Sequence, residues 1–156
     1  MNTHILMILT GILLLFSTCN SQVDRLEQNK NLVLKANQEL LNNGNTAYVD
    51  SVFAEDYRVD GAETGREAIK NFISTLLQAF PDLEVTIEPV LAEGDLVGWQ
   101  RTHTGTHRGQ IMGIPASNQQ ITWENLIISR IVDGKIVEEW SQGNLQQKLQ
   151  AIEAEN

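Results

Sequence analysis

Cysteine is almost absent from this chain. Its 156 residues contain one, Cys19, so no internal disulfide can form. Basic residues are scarce too. Eleven Lys and Arg stand against 20 Asp and Glu, a formal net charge of −9. That balance argues against a nucleic-acid surface, which needs clustered Lys and Arg. Zinc-ligand spacing, a glycine-rich phosphate loop and a Gly-x-Ser-x-Gly elbow are all missing. So are charge runs, low-complexity tracts and internal repeats. No metal or cofactor is expected. The length suits one domain with its own core.

One long apolar run is present. "ILMILTGILLLF", residues 5–16, carries no charge and is short for a membrane span, which fits the apolar region of a signal peptide. "FSTCNSQ" follows, and the pattern resembles a bacterial lipoprotein signal with Cys19 as the lipidated residue. The alternative is an ordinary signal peptide cut near Ser21. The expected division is a signal at 1–19, a polar tether at 20–28, a domain at 29–150 and a tail at 151–156. Export to the bacterial cell envelope, with a lipid anchor at a membrane, is the expected location.

Within the domain, Leu32, Val33, Ala36, Leu40 and Leu41 recur at near-helical spacing. Residues 64–81, "TGREAIKNFISTLLQAFP", read as the clearest helix. Thr64 and Glu67 form the pattern of a capping box, Ile69, Phe72, Ile73, Leu76, Leu77 and Phe80 form one stripe, and Pro81 ends it. After Pro81 the period becomes two. Strands are expected from 83, over 96–107, over 120–132 and over 136–144, with Asp133-Gly134 as a hairpin turn. Helices followed by hairpin-linked strands predict an α+β fold. Its long antiparallel sheet would curl around the helices into a cone with a central pocket.

Three segments, "AFPDLEVTIEPVLAEGDLV", "GTHRGQIMGIPASNQQIT" and "RIVDGKIVEEW", stand in this order and spacing. Together they resemble the SnoaL-like polyketide cyclase family, often labelled ester cyclases, of the nuclear-transport-factor-2-like superfamily. The resemblance covers roughly residues 29–150. It implies a cone-shaped α+β domain whose 109–118 loop is a flap at the pocket mouth, covered by Met112 and Ile114. It also implies a cofactor-free ring closure by acid–base chemistry on a small hydrophobic molecule. The family's aspartate on the last strand falls at Asn144, and an amide cannot take a proton near neutral pH. The family's histidine after a motif like "EDY" falls near Asp60. Either Asp60 is the base with Asn144 as a donor, or Asp60 begins a turn with Gly61.

Strand parity puts Val97, Trp99, Arg101, His103, Gly105 and His107 on one face. Arg101 would pair with a ligand carboxylate or with a protein acid such as Glu124. His107 would bind ligand or fix the loop. Glu124 would act as acid or base if buried. Trp99, Trp123 and Trp140 offer flat apolar area for a ligand or for the core, and Tyr57 a polar handle. Trp140 shares a face with Gln142 and Asn144, which makes it a candidate wall residue. Glu138 and Glu139 are expected in solvent, at least one of them by alternation. Three functions follow: a cofactor-free cyclase or isomerase, a lipid-anchored binding protein without turnover, and an interaction module that dimerises through the outer sheet face.

Overall fold

The computed structural model describes residues 22–155. The apolar run and Cys19 lie outside the described residues. Helix α1 spans 22–37, covering most of the stretch expected as a tether, and widens into a π-helical turn at Gln38–Asn42. Val33, Ala36, Leu40 and Leu41 are buried, so its apolar stripe faces the core. Asn42 leaves the helix to pair with the sheet: its amide donates to Val85 O at 3.0 Å, and its Oδ1 accepts from Val85 N at 2.8 Å.

A short 3-10 turn (Thr46–Tyr48) and helix α2 (Val49–Val52) lead into β1 (Phe53–Val59). The two-residue β2 (Ala62–Glu63) precedes α3 (Arg66–Ala79). The expected capping box does not form. Gly65, at φ 72°, takes the N-cap position one residue late, Thr64 Oγ1 donates to Ala62 O, and the Thr64 amide is spent on Tyr57 O. The left-handed backbone at that position favours glycine.

Four long strands follow: β3 (Glu84–Glu93), β4 (Leu96–Thr106), β5 (Gln120–Val132) and β6 (Lys135–Gly143), then helix α4 (Leu145–Glu155). Asp133 and Gly134 both have positive φ, as a two-residue hairpin of this type requires. The sheet order is β2-β1-β6-β5-β4-β3. β1 pairs with β6 in parallel, so the sheet is mixed rather than wholly antiparallel. The fold is α+β, with an open six-stranded sheet whose concave face covers α1 and α3. One irregularity governs the interior: Ile131 pairs with Ile136, but Arg130 pairs with Glu138, so β6 carries a bulge at Val137. A bulge re-aims every side chain beyond it.

Candidate functional site

Between α1, α3 and the sheet lies a cavity of about 50 Å³. That is room for a few water-sized groups. Leu40, Leu41, Phe53, Ile73, Leu76 and Ile136 make its walls apolar. Ile69 and the exposed Phe72 of α3 carry its lining towards the surface. Two ionisable side chains border it, Arg101 from β4 and Glu139 from β6.

A directed hydrogen-bond chain holds Glu139. The Trp99 indole can only donate, and it donates to Ser129 Oγ at 3.0 Å. Ser129 Oγ in turn donates a hydrogen bond to Glu139 Oε1 at 2.6 Å. Tyr57 Oη donates to Glu139 Oε2 at 2.7 Å. Burial raises the Glu139 carboxyl above its ordinary range, against the Ser129 and Tyr57 hydrogen bonds and the Arg101 charge, which pull it down. Burial, then Glu139, pushes the Tyr57 hydroxyl far up, so Tyr57 stays protonated.

Arg101 stands across the same space. Its Nη1 donates to Asn37 Oδ1 at 2.8 Å, and Asn37 is fixed by its own bond to Val33 O at 2.9 Å. The guanidinium lies 5.2 Å from the Trp99 ring centroid. Among the described residues no carboxylate forms an ion pair with it, and its buried Nε has no partner. Burial lowers its pKa to about 10, so it is charged at neutral pH.

The other expected site residues scatter. Asp60 is exposed at the β1–β2 turn with φ 50°; its amide donates to Glu139 O. It does not border the cavity. Glu124 is exposed on the outer sheet face. Asn144 accepts the Glu124 amide at 2.9 Å and its backbone O begins the α4 ladder, so it ties that helix to β5. Trp123 is buried, its ring stacked on His103 at 4.5 Å and tilted against Phe80 at 4.7 Å. Burial holds His103 neutral, with its pKa pushed down to about 2. Trp140 lies on the convex face under the Arg130 guanidinium, at 5.4 Å.

His107 fixes the loop. Its backbone pairs with Gln119 and Asn118, its Nδ1 meets Ser117 Oγ at 3.2 Å, and its ring stacks 5.3 Å from Phe80. No residue of 107–119 lines the interior cavity. The loop lies instead against α3, where Arg108 and Gly109 donate to Ala79 O, and it flanks a separate groove of about 290 Å³ beside α4. Met112, half-exposed at the tip, touches neither space.

Of the expected site residues, Trp99 and Arg101 line the cavity and Tyr57 reaches it through Glu139, while Glu139, Ser129 and Asn37 were not among them. Glu139 was expected in solvent. The bulge at Val137 turns it inward and leaves Glu138 outside, against Arg130 at 3.6 Å. Asn37 and Ser129 gave a fainter signal, as polar residues within otherwise apolar buried faces.

Residues 31–152 match the family model for SnoaL-like polyketide cyclase. No curated protein matches the chain. Among solved structures it is similar to a proposed SnoaL-like polyketide cyclase from Jannaschia sp. CCS1, at 27% identity and TM-score 0.73, covering 82% of this chain and 93% of that one. It is similar also to AclR, a proposed hydroxylase from Streptomyces galilaeus, at 25% identity and TM-score 0.72, covering 83% and 98%. IdmH from Streptomyces antibioticus shares the fold at 24% identity and TM-score 0.68, covering 81% and 99%.

Proposed function

The chain belongs to the SnoaL-like polyketide cyclase family, and from that membership we propose that it is a cofactor-free acid–base enzyme acting on a small carbonyl compound. Glu139 is the base and Arg101 the group that stabilises the enolate. The observation that carries this reading is the presence of both on one apolar cavity, without an ion pair between them. A carboxyl held above its ordinary range can take a proton from an activated carbon, and a charged guanidinium opposite it favours the oxyanion that forms. The Ser129 and Tyr57 hydroxyls orient the carboxylate. Pockets for drug-sized ligands usually measure about 300–1,000 Å³. A cavity of about 50 Å³ therefore argues for a short substrate rather than a fused-ring one.

The test is hydrogen–deuterium exchange. Small enolisable ketones, keto acids among them, in D₂O are followed by proton NMR with the wild type and with Glu139→Gln. Accelerated exchange that the substitution abolishes supports the reading. Exchange equal to the buffer rate for every ketone, or unchanged in Glu139→Gln, refutes it.

A second reading, self-association, is favoured by one observation. Leu91, Ile128 and Trp140 form a row across Gly98 on the convex face, and Leu91 is 70% exposed. Light scattering on the wild type and on Ile128→Glu tests it. Export with lipidation at Cys19 rests on the apolar run before it. Metabolic labelling with an alkyne fatty acid, lost in Cys19→Ser, tests that.

A further inference from the structure

We infer that the ligand enters the cavity with a carboxylate head on the Arg101 guanidinium, so that the substrate class is short-chain keto acids, their apolar chain directed towards Ile69 and Phe72. This rests on the cavity reading above and specifies what it binds. Arg101 has five N–H donors by its chemistry. Asn37 takes one, on Nη1, and Nε has no partner among the described residues. A guanidinium in an apolar surround with its donors unspent is costly unless an acceptor arrives.

The protein does not supply that acceptor. Glu139 sits on the same cavity, yet both its oxygens receive hydroxyl protons, from Ser129 and Tyr57, and no described carboxylate pairs with Arg101. The planar fork of arginine matches a carboxylate, and with one donor on Asn37 and two on the carboxylate, donors remain for the enolate oxygen. Asn37 holds the fork in place from α1, and the Trp99 face bounds one side of it. The remaining walls are hydrocarbon, and volume limits the chain to a few carbons. Leu40 and Leu41 from the π-helical turn stand beside Asn37, so the widened turn shapes both the head and tail of the site.

The test uses the full chain and three probes of like shape: butyrate, butyramide and butylamine. The readout is the Arg101 Nε–H resonance in a ¹H–¹⁵N spectrum, assigned by its loss in Arg101→Gln. Butyrate is expected to move it saturably, with an apparent affinity at least tenfold above that of butyramide, and butylamine to leave it in place. Hexadecanoate, too long for the cavity, is expected to bind at least tenfold more weakly than butyrate. Equal effects of butyrate and butyramide would overturn the inference, as would no movement at saturating butyrate or a preference for butylamine. Should Arg101→Gln fail to fold, Arg101→Lys serves for assignment, and the wild-type comparison still decides. The two readings separate cleanly. Butyrate binding with unchanged ketone exchange in Glu139→Gln keeps the carboxylate head and removes the base. Glu139-dependent exchange without butyrate binding does the reverse.

Discussion

Ser129→Ala is the sharpest test of the interior network, because one hydroxyl serves two partners. Its loss leaves the indole N–H of Trp99, a residue 3% exposed, without its acceptor. A buried donor left unmade costs about 1–3 kcal/mol. The same change removes the 2.6 Å donor from Glu139 Oε1, and a bond to a charged group is worth about 1.5–3 kcal/mol. Glu139 borders a cavity that can admit water, so the second loss falls near its lower end. Together they predict about 2–4 kcal/mol once Glu139 is ionised. The pH dependence carries a definite sign. Glu139's folded pKa lies above its unfolded value because desolvation prevails. Its contribution is therefore fully present below the ordinary carboxylate range and is lost as pH rises through the folded value. Ser129 favours the ionised form, so the variant's folded pKa rises further. The extra loss grows with pH only between the wild type's folded pKa and the variant's higher one. In acid, the Trp99 loss and the weaker bond to a neutral carboxyl remain. Urea unfolding of both proteins from acid to alkaline pH measures this. A penalty below about 0.5 kcal/mol throughout, or one that stays constant across the whole range, would refute the network. In a Glu139→Gln background the pH dependence of the penalty should vanish.

Asp60→Asn should leave ketone exchange within twofold of wild type, because Asp60 is exposed and does not border the cavity; a drop comparable to that of Glu139→Gln would restore Asp60 as the base. Asn144→Asp should create no new exchange activity and change stability by less than about 0.5 kcal/mol in urea unfolding. The aspartate keeps the oxygen that accepts the Glu124 amide, and it lies outside the cavity. Gly109→Ala should destabilise by about 1–3 kcal/mol in the same assay. Its Cβ would meet Gln78 O at 2.9 Å and Ala79 Cα at 3.0 Å, both backbone atoms that cannot turn away. Faster amide exchange at Arg108, which donates to Ala79 O, should accompany it.

The sequence by itself determined the elements and their class. Helical spacing from Leu32 to Leu41 and from Ile69 to Phe80, and period-two alternation afterwards, are local consequences of burying one face, so they can be read without a partner. The Asp133-Gly134 hairpin was legible for the same reason, since its backbone demands are set within two residues. Strand parity correctly put Trp99 and Arg101 on one face with His103 and His107. What a face borders, though, depends on which element packs over it. Only tertiary structure decided that His103 meets Trp123 while Arg101 meets Asn37. It also decided the parallel β1–β6 pairing, which brings Tyr57 to Glu139 across 82 residues of chain. The central case is Glu139 itself. Alternation counts residues, and a bulge adds one without changing composition, so nothing local in "KIVEEW" tells which glutamate turns inward. The register of β6 on β5, fixed by the whole sheet, chose Glu139 for the cavity and Glu138 for the outer face, against Arg130.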